Sequence, residues 1–136
     1  MSTRHLLLIV LFCVTSCASP RHLVSIPAAL PEKPTISQTG VASWYGSDHQ
    51  GKETADGERY DMHAMTAAHR DLPFHTVARV TSVDTGQAVR VRINDRGPNA
   101  KDRIIDLSSA AASALGVSDN GVMTVRVEVF TWGQSS

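Results

Sequence analysis

The stretch "HTVARVTSVDTGQAVRVRINDRGP", residues 75–98, decides the fold. In its first arm Val77, Arg79 and Thr81 fall on one face of an extended segment and Ala78, Val80 and Ser82 on the other. "DTG" at 84–86 is a hairpin turn in which Gly86 supplies a positive φ. The return arm, 87–94, sets Val89, Val91 and Ile93 against Arg90, Arg92 and Asn94. A period of two on both sides of a tight turn predicts an antiparallel hairpin. The second arm then places Asn94-Asp95 at its end, just before Arg96-Gly97-Pro98. A sequence selected only for stability would simply close the turn there.

Working outward, "GVASWYG" (40–46) opens the domain as a strand and "GVMTVRVEVF" (121–130) closes it. "DLSSAAASALGV" (106–117) predicts the one helix, capped by Ser108 or Asp106 and ended by Gly116. Short strands with a single short helix predict a mainly β domain, a small barrel, over 40–132. That length folds alone with a modest core.

The residues before it read as an export signal and a tether. Arg4 and His5 precede the apolar run "LLLIVLFCV" (6–14), which falls well short of the ~20 residues needed to cross a bilayer. "VTSC" (14–17) resembles a bacterial lipobox, so the reading is a lipoprotein signal at 1–16 with lipidation on Cys17. Ala18 is not the Asp that commonly retains lipoproteins in the inner membrane, which favours the outer membrane. Cys13 leaves with the signal and Cys17 carries lipid, so no disulfide is expected despite export. Residues 17–39, with Pro20, Pro27, Pro31 and Pro34, read as a semi-extended tether. Thirteen Lys and Arg balance 13 Asp and Glu without a long basic run, which argues against a nucleic-acid partner.

Three clusters carry titratable groups, and each has a plain structural reading beside a functional one. "TADGERYDMHAMTAAH" (54–69) gathers Glu58, Asp61, His63 and His69. Glu58 is a solvated turn residue or a functional acid, Asp61 a turn cap or a second acid, and His69 a structural imidazole or a site residue. Asp106 in "RIIDLS" reads as a helix N-cap. Asp61, His63 and His69 match no tight metal-ligand spacing, so no metal or cofactor is expected. There is no Gly-x-Ser-x-Gly and no free Cys nucleophile. Asp95, at a barrel rim between a strand and Gly-Pro, is the best-placed candidate for a glycosidic general acid.

"GVASWYG", "TADGERYD", "TAAHRDLPF", "VRVRINDRGP" and "RIIDLSSAAASALG", in this order and spacing, resemble the rare lipoprotein A (RlpA) family of septal-ring lytic transglycosylases. The resemblance spans about residues 40–130 and implies a six-stranded double-psi β-barrel with one or two short helices. It implies endolytic cleavage of the MurNAc–GlcNAc bond in peptide-stripped peptidoglycan, leaving 1,6-anhydroMurNAc ends, in wall remodelling and daughter-cell separation. It also implies a lipid-anchored, periplasm-facing location, with divisome proteins or amidases as neighbours. Carried over by motif, the catalytic set falls on Glu58, Asp61, His69 and Asp95. Asp95 ranks first and Glu58 second as proton donor. Trp44, Tyr45, Asn94, Arg92 and Arg96 are the substrate-binding candidates. The alternatives are an expansin-like peptidoglycan-binding lipoprotein without turnover, and a structural envelope lipoprotein. Two departures stand out. His75 replaces the family's Gly in "LPFHT", and no SPOR domain is expected after the barrel, so septal targeting is not implied.

Overall fold

The computed structural model describes residues 34–117 and 121–130. The signal, Cys17, most of the tether and Trp132 lie outside the described residues. In chain order the elements are β1 (Ile36–Trp44), a 3-10 turn (Ser47–His49), β2 (Thr66–His69), β3 (Val77–Ser82), β4 (Ala88–Asp95), β5 (Arg103–Leu107), α1 (Ser109–Leu115) and β6 (Val122–Val129). The six strands close in the order β1-β5-β2-β4-β3-β6. β1 pairs parallel with β5 and β2 parallel with β4, while the other four pairings are antiparallel. Closure leaves every strand a partner on both sides, which removes the exposed edges of an open sheet.

The hairpin forms as its alternation predicts. Ala78 pairs with Val91 and Val80 with Val89, and Ala78, Val80, Val91 and Ile93 are all buried. Val80 meets Val127 of β6 on its other flank, so branched side chains from three strands meet inside the barrel. Ile105, Leu107 and Leu115 complete the largest part of the core and are fully buried.

Three boundaries differ from the sequence reading. β1 begins at Ile36, inside the stretch read as tether, because Ile36 to Thr39 pair with Val129 to Arg126. The helix read over 106–117 occupies only Ser109–Leu115. Its cap is Ser108, whose Oγ accepts from the Ala111 N–H at 3.2 Å. Gly116 ends it in the left-handed region (φ 78). Asp106 is therefore no cap but the fourth residue of β5. Finally, His75 adopts φ 69, so the turn keeps a left-handed backbone in spite of its Cβ. Its N–H donates to the Ile93 carbonyl and the Ile93 N–H to the Thr76 carbonyl, which ties the turn to β4.

Candidate active site

Asp95 pairs with Ala68, Ala68 with Asp106, and Asp106 with Ser43, so one row of residues crosses β4, β2, β5 and β1. Their chain neighbours Ala67, Ile105, Leu107 and Ala42 fill the interior. The row therefore lies outside the barrel interior, with Ala68 and Ser43 covered and Asp95 and Asp106 half-buried. The middle of that row is small: Ala68, with Gly97 lying over it. A Cβ on Gly97 would come 3.6 Å from Asp106 Oδ2 and 3.9 Å from Ala68 Cβ. Two half-buried carboxyls thus flank a floor made of an alanine and a glycine.

Each acid is held by one oxygen. Asp95 Oδ1 accepts the N–H of Ala55 (2.9 Å) and of Arg96 (2.8 Å). Asp106 Oδ1 accepts the hydroxyl of Ser43. Among the described residues neither Oδ2 has a hydrogen-bond donor, so each acid keeps one oxygen free. Tyr45 joins them. Its backbone is pinned by Leu107, which accepts its N–H, and by Ser109, whose hydroxyl donates to its carbonyl. Its ring packs edge-on against Tyr60, centroids 4.9 Å apart. The Tyr45 hydroxyl is buried and has no hydrogen-bond partner among the described residues. Burial pushes its pKa far up, and the Asp95 and Asp106 charges push it further, so it stays a protonated donor facing both acids. A buried hydroxyl without a partner is a costly feature to keep in a fold.

Glu58 is engaged differently. Arg92 grips it with Nη1 at 2.6 Å and Nη2 at 2.8 Å, and the Asn94 amide adds a bond at 3.3 Å. The guanidinium bonds hold its pKa down to about 2, so near neutral pH it is a fixed anion. Glu58, ranked second as proton donor, and Arg92 and Asn94, read as sugar contacts, thus meet one another in the structure. Arg96 is likewise committed. Its Nη1 donates to the carbonyls of His69 (3.1 Å) and Leu72 (2.9 Å), and its guanidinium stacks 3.9 Å over Phe74.

His69 is the residue after Ala68 and is buried. Its Nδ1 accepts the N–H groups of Asp71 and Leu72, both at 3.1 Å. The proton must then sit on Nε2, donating to Gln38 Oε1 at 3.1 Å. Both ring nitrogens are occupied by the fold, and burial lowers the pKa, so the ring orients no carboxylate. Asp61 is exposed, and its carboxylate accepts the N–H of His63 to close a local turn. Of the four acid and imidazole candidates, only Asp95 stands on the row. The loop that carries Glu58 reaches it through the Ala55 N–H.

Trp44, at the end of β1, is 39% exposed and borders an open cavity of about 360 Å³ with Met62, Ser109, Ala112 and Val117. It remains free to offer a face to a ligand. Asp56, Glu58 and His75 bring ligand atoms within 4.8 Å of one another, a grouping different from the Asp61, His63 and His69 weighed on sequence. Sequence reasoning missed Asp106 and Ser43. The only signal was "RIID", whose alternation reads as a strand once the helix is started at Ser109.

Comparison with known proteins agrees with this architecture. The family described as "Lytic transglycolase" matches residues 37–127. The endolytic peptidoglycan transglycosylase RlpA of Neisseria meningitidis serogroup A is 51% identical over 101 residues, covering 74% of this chain and 42% of that protein. Its counterpart in Pseudomonas aeruginosa PAO1 is 54% identical over 89 residues, covering 65% of this chain and 26% of that protein. The chain thus spans less than half the length of these curated relatives. An apo expansin of Clavibacter michiganensis superposes with a TM-score of 0.57 at 23% identity, over 74% of this chain and 53% of that one. At that identity the likeness speaks to the barrel alone.

Proposed function

The chain belongs to the lytic transglycolase family, and from that premise we propose that its barrel is an endolytic peptidoglycan transglycosylase cleaving MurNAc–GlcNAc bonds to leave 1,6-anhydroMurNAc ends. The observation that carries the reading is the row of Asp95, Ala68, Asp106 and Ser43, with the unpartnered Tyr45 hydroxyl beside it. The two half-buried acids are the members of the row that a glycan can reach, while Ala68 between them is covered and Gly97 packs onto it.

In this reading Asp95, anchored through Oδ1, uses its free Oδ2 to protonate the glycosidic oxygen. The C1–O4 bond breaks and positive charge develops at muramic C1. Asp106, oriented by Ser43, faces that charge and stabilises it. Asp95, now a carboxylate, accepts the proton of the same sugar's C6 hydroxyl as that oxygen bonds to C1. The nucleophile is already attached to the substrate, so no second carboxylate has to activate water. Glu58, Arg92 and Asn94 hold the loop whose Ala55 N–H positions Asp95. His69 and Arg96 position the strand ends.

Peptide-free glycan strands incubated with the protein, with products read by mass spectrometry, test the proposal. Anhydro-muramic ends are expected from the wild type, with a ~10²- to 10⁴-fold loss for Asp95→Asn. Absent anhydro ends, or undiminished release by Asp95→Asn, would overturn it. Binding to sacculi without release of fragments would favour the expansin-like alternative. Lipid attachment at Cys17, outer-membrane residence, and divisome or amidase neighbours belong to the same proposal; radiolabelled palmitate incorporation lost in Cys17→Ser checks the anchor.

A further inference from the structure

We propose that Asp56, Glu58 and His75 form a binding site for one divalent cation of the zinc class. The reasoning starts from a charge deficit. Two carboxylates, Asp56 and Glu58, share a single guanidinium, Arg92. Arg92 spends its short bonds on Glu58 and stands 3.9 Å from Asp56 Oδ2, beyond hydrogen-bond reach. The Asp56 side chain is only 3% exposed, and its Oδ2 is buried without any hydrogen-bond partner. Its other oxygen is satisfied by the Thr54 hydroxyl at 2.6 Å and the Glu58 N–H at 3.0 Å. Arg92 at 3.9 Å is the nearest positive charge to this oxygen but gives it no hydrogen bond, so its lone pairs remain available to a second cation.

His75 supplies the neutral donor. Its ligand atom and those of the two acids all lie within 4.8 Å of one another. Donors bound to one tetrahedral zinc ion at ~2.1 Å lie ~3.4 Å apart, so the cluster, spread over at most 4.8 Å, must tighten by up to about 1.4 Å. Asp56 is fixed, but His75 is exposed and Glu58 half-exposed, and both side chains have room to close. Glu58 need not release Arg92, because a carboxylate has about four lone-pair sites and Arg92 and Asn94 together use three. One imidazole with two carboxylates suits zinc-class ions rather than calcium or magnesium, which favour oxygen donors.

The inference is independent of the transglycosylase reading and concerns the loop behind Asp95, not the row of acids itself. It is tested on the untagged full-length chain in detergent, titrated calorimetrically with zinc chloride and then with calcium chloride. One zinc ion per chain is expected, with calcium far weaker and a rise in Tm on zinc addition. His75→Asn keeps a side chain that tolerates the left-handed backbone but lacks the imidazole. It should bind zinc at least about tenfold more weakly while its metal-free Tm stays unchanged. Asp56→Asn should do the same, and a melt in the absence of zinc establishes that it folds. The proposal fails if the wild type shows no saturable zinc heat, if zinc leaves Tm where it was, or if His75→Asn binds zinc as tightly as the wild type.

Discussion

Replacing Asp106 by Asn isolates one charge from the proposed site. The perturbation is nearly isosteric, and the Asn carbonyl still accepts the Ser43 hydroxyl. Asp95 and Asp106 each pair with Ala68, so their backbones stand two strand spacings, about 9.5 Å, apart. A reacting carbon held midway between the two acids is then about 5 Å from either carboxylate. Unit charges at about 5 Å attract by ~3 kcal/mol at an effective dielectric of ~20. With half the charge developed at the transition state the figure is ~1.5 kcal/mol. The expected loss is therefore between about 15-fold and about 200-fold in kcat/KM. Release of anhydro-muramic ends from peptide-free glycan, followed by mass spectrometry over substrate concentration, measures it. The loss should appear in kcat, because the charge that Asp106 faces exists only as the bond breaks. A thermal melt is the control, since a ~1 kcal/mol loss of stability moves Tm by about 4–8 °C in a domain this size. Wild-type kcat/KM for Asp106→Asn, or a rate loss that tracks a lowered Tm, would refute the assignment.

Other expectations follow from single features of the structure. Burial holds the His69 pKa below its ordinary 6.5, so the folded state binds fewer protons than the unfolded chain. The stabilisation is complete above pH ~6.5 and is lost as pH falls toward the lower folded value. Melting between pH 8 and pH 5 should show a shallower slope for His69→Gln, and superimposable slopes would contradict it. Leu107→Ala removes a fully buried side chain from the barrel and should cost about 3–5 kcal/mol in urea unfolding; a cost under ~1 kcal/mol would mean that the core is not built as described. Gly97→Ala adds a Cβ at φ 140 and 3.6 Å from Asp106 Oδ2. Backbone strain of ~1–3 kcal/mol and a raised KM are expected together, from a melt and a glycan titration.

The fold was legible where one face of a strand is buried and the other is not. β3 alternates in exposure throughout and β4 as far as Ile93, and their hairpin could be read from residues alone. β2 could not, because all four residues of "TAAH" are buried and show no period. The last two residues of β5, Asp106 and Leu107, were absorbed into the helix, since "DLSS" ahead of an alanine run carries the composition of an N-cap, and only the true cap at Ser108 separates the two. The six-strand count came from the family resemblance, not from periodicity. Of the site, Asp95 was legible because a strand ended in an acid before Gly-Pro. The fixed ion pair of Glu58 with Arg92 was not, since those residues lie 34 positions apart and no local pattern marks their contact.

Why the two acids meet at all follows from the strand order. Asp95 ends β4 and Asp106 lies near the end of β5, and in chain order only the Arg96–Asp102 connection separates those strands. Had they paired directly as a hairpin, the acids would sit close to the turn and to each other, with no space for a ring between them. Instead β2 enters between β4 and β5, parallel to the first and antiparallel to the second. That insertion brings the C-terminal end of β4 level with the C-terminal part of β5, and it sets Ala68 as the spacer between the acids. Ala68 itself is covered, so Ala68→Leu overpacks the barrel beneath both acids and should cost about 1–3 kcal/mol in a melt, with lost cleavage following the lost fold. An Ala68→Leu variant as stable as the wild type would mean that β2 is not packed between β4 and β5 as described.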